Sequence, residues 1–325
     1  MKKILFTSTA LVASAGIAAA EVKITGSAKM GIAEGGEFHD GGLSFFQDVD
    51  VTFTMSGETD GGLAFGVSVD LDEAQDDIPL AGTDENDAFD DTSEDGGVAV
   101  FISGGLGTLT MGDTDGAMDW ALTEGGNVNN PGTLRDDETA YEAYRGSYLD
   151  GVYDGQVVRY DNTFGDFGVA LSFEMDDAGD NDPGYALGVK YNLELGGTTI
   201  ALGAGYQTAT QNIAGTPVEA TAIGLSATAT LFDGLSAGLG YTLYEDVDGA
   251  GIDASHIQLG VGYKIGALGL HANYSDYDSD SNVFDEDGFG LAASYDLGGG
   301  AAIHAGYGVN ETEDDIYSLG LAMSF

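Results

Sequence analysis

Cysteine is missing from all 325 residues, and bases are scarce: nine lysines and arginines stand against 55 acids. Each shortage excludes something. Without cysteine there is no disulfide, no thiolate metal ligand and no thiol nucleophile. A formal net charge of −46 repels nucleic acid and gains nothing from an anionic membrane, but gathers cations. Beyond residue 20 no run of about 18 uninterrupted apolar residues occurs, so no transmembrane helix is expected. Catalytic signatures are also lacking. The four histidines, His39, His256, His271 and His304, lie in no H-E-x-x-H pattern, and no G-x-S-x-G is found. The expectation is therefore a protein that is not an enzyme.

What is present starts at the N-terminus. Lys2 and Lys3, the apolar run Ile4 to Ile17 and Ala18-Ala19-Ala20 have the form of a cleaved secretory signal. Residues 1–20 are read as that signal and residues 21–325 as a single domain acting outside the cytoplasm. Acidity alone suits disorder, but 10% aromatic residues set in alternating runs argue against it. Acidity also suits a salt-adapted habitat, and both explanations of the charge stand.

The alternation has a period of two. The segment Ile316 to Phe325 puts Tyr317, Leu319, Leu321, Met323 and Phe325 on one face and mostly small or polar residues on the other. The same pattern recurs in Leu63 to Leu71, Phe167 to Phe173, Tyr185 to Leu193, Leu235 to Leu243 and Ile257 to Ile265. A sandwich also alternates, but tyrosine placement separates the two. Tyr185, Tyr191, Tyr206, Tyr241, Tyr263, Tyr274, Tyr295, Tyr307 and Tyr317 share the apolar phase, mostly near segment ends. That is the girdle of a barrel wall at the two bilayer interfaces.

Sixteen strands are expected, near 22–32, 45–56, 62–72, 97–103, 107–112, 155–163, 167–174, 184–193, 198–207, 219–231, 235–245, 255–265, 267–275, 287–296, 301–309 and 316–325. Tight links with glycine, such as Gly104-Gly105 and Gly196-Gly197, alternate with eight longer, acidic ones. The fold class is thus all-β: a transmembrane antiparallel up-and-down barrel of about 16 strands, closed on itself so that no edge meets lipid. Gly203, Gly205, Gly238, Gly240, Gly260, Gly262, Gly306 and Gly308 sit on the opposite phase and are read as room for an aqueous bore.

The start E-V-K-I-T-G-S-A-K-M-G, the hairpin V-T-F-T-M-S-G-E-T-D-G-G-L-A-F-G, the segment G-T-L-T-M-G-D and the end S-Y-D-L-G-G-G-A with a final Phe resemble general diffusion porins of alphaproteobacteria, the Rhodobacter type. The likeness runs through essentially all of 21–325. It implies a bacterial outer-membrane location, a homotrimer, a third long loop folded inward as a constriction, and Phe325 as a signal to the barrel-assembly machinery.

By order in the chain, the third long link is about Asp113 to Asp154. Its acids Asp113, Asp115, Asp119, Glu124, Asp136, Asp137 and Glu138 are the candidate constriction, with Trp120 and Arg135 among them. Lys23, Lys29, Asp48, Asp50, Arg159, Lys190 and Lys264 fall on the inward phase and are candidate pore wall. Inward placement of these bases is required anyway, because Arg or Lys on the lipid face costs about 2–4 kcal/mol at midplane. The sharper expectation is that Lys23, Lys29 or Arg159 face the loop acids across the bore. With so few bases, a water-filled, acid-lined channel preferring cations and passing small hydrophilic solutes is expected. Asp276, Asp278, Asp280 and Asp287 are spaced somewhat like a calcium loop, but Ser281 stands where the turn glycine belongs and Asp287 where the bidentate glutamate belongs. Weak Ca²⁺ binding there stands beside a solvated acidic loop. The alternative to a channel is a structural or adhesive barrel with a plugged lumen.

Overall fold

The computed structural model describes residues 21–34, 42–73, 97–136, 138–139, 148–150, 152–153, 156–176, 181–213, 215–231, 234–281, 285–309 and 315–325. The expected signal at 1–20, together with Asp137, lies outside the described residues.

Sixteen strands form one closed antiparallel barrel. They are β1 (Glu21–Glu34), β2 (Ser44–Glu58), β3 (Ala64–Glu73), β4 (Val98–Gly104), β5 (Gly107–Asp113), β6 (Gln156–Phe164), β7 (Phe167–Glu174) and β8 (Gly184–Leu195). Then come β9 (Thr198–Ile213), β10 (Thr216–Thr230), β11 (Leu235–Glu245), β12 (Ala254–Ile265), β13 (Leu268–Ser279), β14 (Glu286–Gly298), β15 (Ala301–Val309) and β16 (Asp315–Ser324). Every strand pairs with its sequence neighbours, and β16 returns to β1 with Met30 opposite Leu321 and Ile32 opposite Leu319. Phe325 secures the seam: its N–H donates to Gly26 O at 2.9 Å. Closure leaves no strand edge unpaired.

Alternation sorts the wall into two faces. Along β11 and β12, Leu239 opposes Leu259 and Tyr241 opposes Ile257, all exposed apart from the half-buried Ile257. One step along, Gly238 opposes Gly260 on the other face. The apolar face carries exposed Leu, Val, Ile and Phe around the whole barrel, with Tyr160, Tyr185, Tyr191, Tyr241, Tyr274 and Tyr295 among them. In water such a belt is far too large for a monomer; in lipid it is the required surface.

One expected link is wrong. Residues 208–218 were expected as a long acidic connection, but β9 runs to Ile213 and β10 starts at Thr216. Thr208, Thr210, Val218 and their neighbours stay in register up to Ile213 opposite Thr216. β-Branched residues favour the ladder, and Gly215, with φ +84°, makes the tight turn. The remaining strands lie within a few residues of expectation.

Candidate functional site

The longest link that contains described residues joins β5 to β6 across residues 114–155. Its short helix α1 (Ala117–Ala121) lies on β6 to β9, and a 3-10 turn at Gly125–Asn127 lies on β10 to β13. Further on, Pro131 reaches Gly269 of β13, Thr133 and Glu138 reach Gly306 of β15, and Leu134 reaches Gly31 of β1 and Gly320 of β16. The link therefore follows the small-residue face of the wall past β6 to the seam.

Two devices hold it there. Polar wall side chains satisfy backbone groups that have no ladder of their own. Ser172 Oγ accepts from Ala117 N at 2.8 Å, Ser226 Oγ from Thr123 N at 2.9 Å, and Gln207 Oε1 from Leu149 N at 3.2 Å. Glu174 Oε1 accepts from Tyr153 N at 2.9 Å, while Asn273 Nδ2 donates to Thr139 O at 2.8 Å. The second device is a small apolar core: Met118, Leu122, Leu149 and Tyr153 bury themselves against Ala170, Ala186, Ala209, Ala220 and Ala222 of the wall. Full burial of Met118 alone is worth about 1.5–3 kcal/mol.

The wall glycines take on a different meaning from the expected one. They were read as empty room, yet all but Gly240 of that set meet the link. A β-carbon on Gly203 would lie 2.4 Å from Ala121 O, on Gly238 2.3 Å from Gly125 O, and on Gly308 2.5 Å from Glu138 O. The missing side chains are filled by the link's own backbone, so small residues here make a bed rather than a void.

The charged candidates separate by position. Lys29 Nζ lies 3.3 Å from Asp136 Oδ2 of the link and 3.5 Å from Asp48 Oδ2 of β2, directly opposite it in register. Arg159 donates to Asp115 O at 2.5 Å and to Asp161 Oδ1 at 3.2 Å. Lys190 Nζ stands 3.3 Å over the Trp120 ring, a cation–π contact. Asp50 accepts from Ser27 Oγ at 2.9 Å. Lys23 and Lys264 are exposed, near the strand ends with short turns, and Lys264 opposes Gly269, which Pro131 of the link approaches.

Among the link acids, Asp115 and Asp136 are exposed and Glu124 half-buried. Asp119 is buried on α1, and Glu138 is wholly buried and accepts from Thr133 Oγ1 at 2.5 Å. Asp113 ends β5 on the phase of Leu109 and Met111, away from the link's side. Asp276 and Asp287 oppose each other in the β13–β14 ladder, and Asp278 opposes Ser255. Asp280 N donates to Asp253 O at 2.8 Å. Asp276 and Asp278 thus lie in β13 and Asp287 in β14, with Asp280 just beyond β13. Among the described residues no group of three or more His, Cys, Asp or Glu is arranged to hold a metal.

Asp150 was not singled out from the sequence. Its carboxylate accepts from Gly116 N at 2.8 Å and from Gln207 Nε2 at 2.5 Å, fastening both ends of the link to β9. Burial raises its pKa from 3.8 to about 7, with Glu174 and Asp115 adding to the rise and the two hydrogen bonds opposing it. Burial likewise raises the Tyr148 phenol, with nearby Tyr244, Asp119 and Glu124 adding to it.

A family model described as Gram-negative porin matches residues 7–315. The chain belongs to the Gram-negative porin family. A porin of Rhodobacter capsulatus is 28% identical over 331 residues, covering 94% of this chain and all of that one. A porin structure refined at 1.8 Å is 26% identical, with a TM-score of 0.71 over 94% of this chain and all of that one. A loop-deletion variant of an outer membrane protein of Vibrio cholerae shares the fold at a TM-score of 0.64, with 16% identity over 94% of this chain and 99% of that one. The chain is thus a general diffusion porin of the outer membrane.

For this porin the functional parts invisible to sequence reasoning were mostly anchors. Ser172, Ser226, Gln207 and Asn273 are ordinary polar residues on the inward phase, and parity was the one signal that marked them.

Proposed function

We propose that the small-residue face lines a water-filled bore, and that the β5–β6 link narrows it into a constriction with a cation preference. The observation carrying this reading is the link's path along that face, with Asp115, Glu124 and Asp136 left unburied. Lys29 and Arg159 sit on the wall against it. Lys29 is shared between Asp48 and Asp136, and Arg159 is engaged by Asp161, so each of these two cations is matched by at least one carboxylate. With 55 acids and nine bases overall, the bore carries a negative potential that raises cation concentration without chemistry or energy coupling. Asp48 and Asp50, buried on β2, and Asp119 and Glu138, buried on the link, add less to it than the unburied acids. The working unit is a homotrimer embedded in outer-membrane lipid, as in porins the sequence resembles. Phe325, exposed at the seam, is the residue the assembly machinery reads.

Planar-bilayer recording under a salt gradient tests this. Ohmic steps in groups of three, with a reversal potential on the cation side, are expected. Neutralising Asp115, Glu124 and Asp136 together moves that potential toward zero. Inserted protein without steps sinks the bore in favour of a plugged structural barrel, and an anion-side reversal potential sinks the acid-lined constriction.

A further inference from the structure

Three histidines point to the small-residue face: His256 on β12, His271 on β13 and His304 on β15. They differ in what they ask of a proton. His256 Nε2 lies 2.6 Å from Ser275 Oγ, a hydroxyl that donates or accepts as required. His304 Nδ1 lies 2.9 Å from Gly132 O, which one N–H satisfies. His271 is unlike both. Its Nδ1 lies 3.1 Å from Val128 O and its Nε2 3.0 Å from Gly126 O, two carbonyls of the link turn. Carbonyl oxygens only accept, and a neutral imidazole has one N–H. Both contacts are hydrogen bonds only when the ring carries two protons. In the neutral ring one nitrogen lone pair faces a carbonyl lone pair at a buried site, where the lost bond is not replaced by water.

We propose that His271 is a positioning residue whose second proton fastens the turn at Gly125–Asn127 to the wall, so that the open channel is steadiest when His271 is an imidazolium. This rests on the reading of the link as the constriction. The turn is well placed to respond, because its carbonyls already press on wall glycines: a β-carbon on Gly260 would lie 2.6 Å from Gly125 O and from Gly126 O, and one on Gly262 2.6 Å from Val128 O. No slack exists on the wall side, so a turn that loses a bond moves away from it. The charged and titratable groups on the same face include Glu124, Asp136 and Glu138 of the link, His256 and Lys264 on β12, Glu286 and Asp296 on β14 and His304 on β15. None stands in the register pairs of His271, which are Gly262 and Ala292.

The test pairs two measurements on the full-length folded protein. Nitrogen NMR of ¹⁵N-histidine-labelled porin, with His271 assigned by its loss in His271→Gln, reads the ring directly. Single-channel recording reads the current from about pH 5 to about pH 8, the span in which histidine changes charge. Expected is a doubly protonated His271 at the acid end and, as it titrates, brief closures that become about threefold or more frequent with the same midpoint. That pH dependence disappears in His271→Gln and survives in His304→Gln. It also survives in Asp150→Asn, which separates it from the link carboxyl whose pKa burial raises to about 7. A ring that stays singly protonated across the range overturns the clasp, and so does a closure rate in His271→Gln that still follows pH as in the parent. Inserted protein with no current at any pH overturns the constriction reading and the link to current with it, while the NMR titration decides the clasp on its own.

Discussion

Adding one methyl group at three wall glycines separates a bed from a void. A β-carbon on Gly188 of β8 would stand 1.9 Å from Ala117 O, where real β-carbons stay beyond 3.0 Å, so backbone must move by at least 1.1 Å. On Gly224 of β10 the nearest atoms are Leu122 Cδ1 at 2.5 Å and Met118 Cε at 2.7 Å, the free ends of flexible side chains. On Gly240 of β11 the nearest is Gln258 Oε1 at 3.2 Å, and no link atom is close. Gly188→Ala must lift the first turn of α1, which is also held by Ser172 and Asp150. Overpacking of this kind costs about 1–3 kcal/mol. Gly224→Ala is absorbed by rotamer changes and costs under about 1 kcal/mol. Gly240→Ala is neutral or gains up to about 1 kcal/mol, since glycine weakens a strand. The midpoint of heat-induced loss of the folded barrel, followed by gel mobility, reads stability. Single-channel conductance reads the link, falling in Gly188→Ala because the displaced helix moves toward the bore, and holding in Gly240→Ala. Equal effects at all three positions, or a larger one at Gly240, would refute the idea that backbone contact with the link is why these positions lack side chains.

Three further outcomes follow from the same geometry. Asp150, whose pKa rises from 3.8 to about 7 on folding, favours the folded state when protonated; its contribution is full below about pH 4 and is lost as pH rises through about 7. Asp150→Asn should flatten that part of the stability–pH curve, and an unchanged slope would exclude Asp150 as its source. Lys29→Met removes the cation shared by Asp48 and Asp136, leaving the buried Asp48 uncompensated; a loss of a few kcal/mol in thermal stability and a stronger cation preference are expected, and a shift toward anions would contradict the field described. Trp120 is the sole tryptophan, so Lys190→Met should make its fluorescence easier to quench with acrylamide as the ammonium leaves the ring, and equal quenching would mean that the stack does not hold the indole.

The wall was legible because a barrel repeats one local rule. Leu239, Tyr241 and Leu243 face out while Gly238, Gly240 and Thr242 face in, and the same period-2 signal returns in almost every strand. It failed at residues 208–218, where Thr and Ala blur the apolar phase and only the partner strand reveals the ladder. The β5–β6 link was legible by length and order, not by residue. Composition treats Asp115, Asp119 and Glu138 alike, whereas the fold exposes the first and buries the other two. Asp150 and His271 were beyond reach because their roles come from groups far away in sequence: Gln207 and Gly116 for one, Gly126 and Val128 for the other.

Leu134 has a consequence for how the barrel is made. Its Cδ1 would lie 2.6 Å from a β-carbon on Gly31 and 2.7 Å from one on Gly320, glycines paired across the β1–β16 seam. The tip of a link that departs from β5 therefore rests where the first and last strands meet. Until both arrive, Leu134 has only half a seat; once they pair, it is covered from both sides. Zipping the wall and docking the tip become a single event, so a barrel closed over an unseated link would leave a leucine-sized defect at its seam.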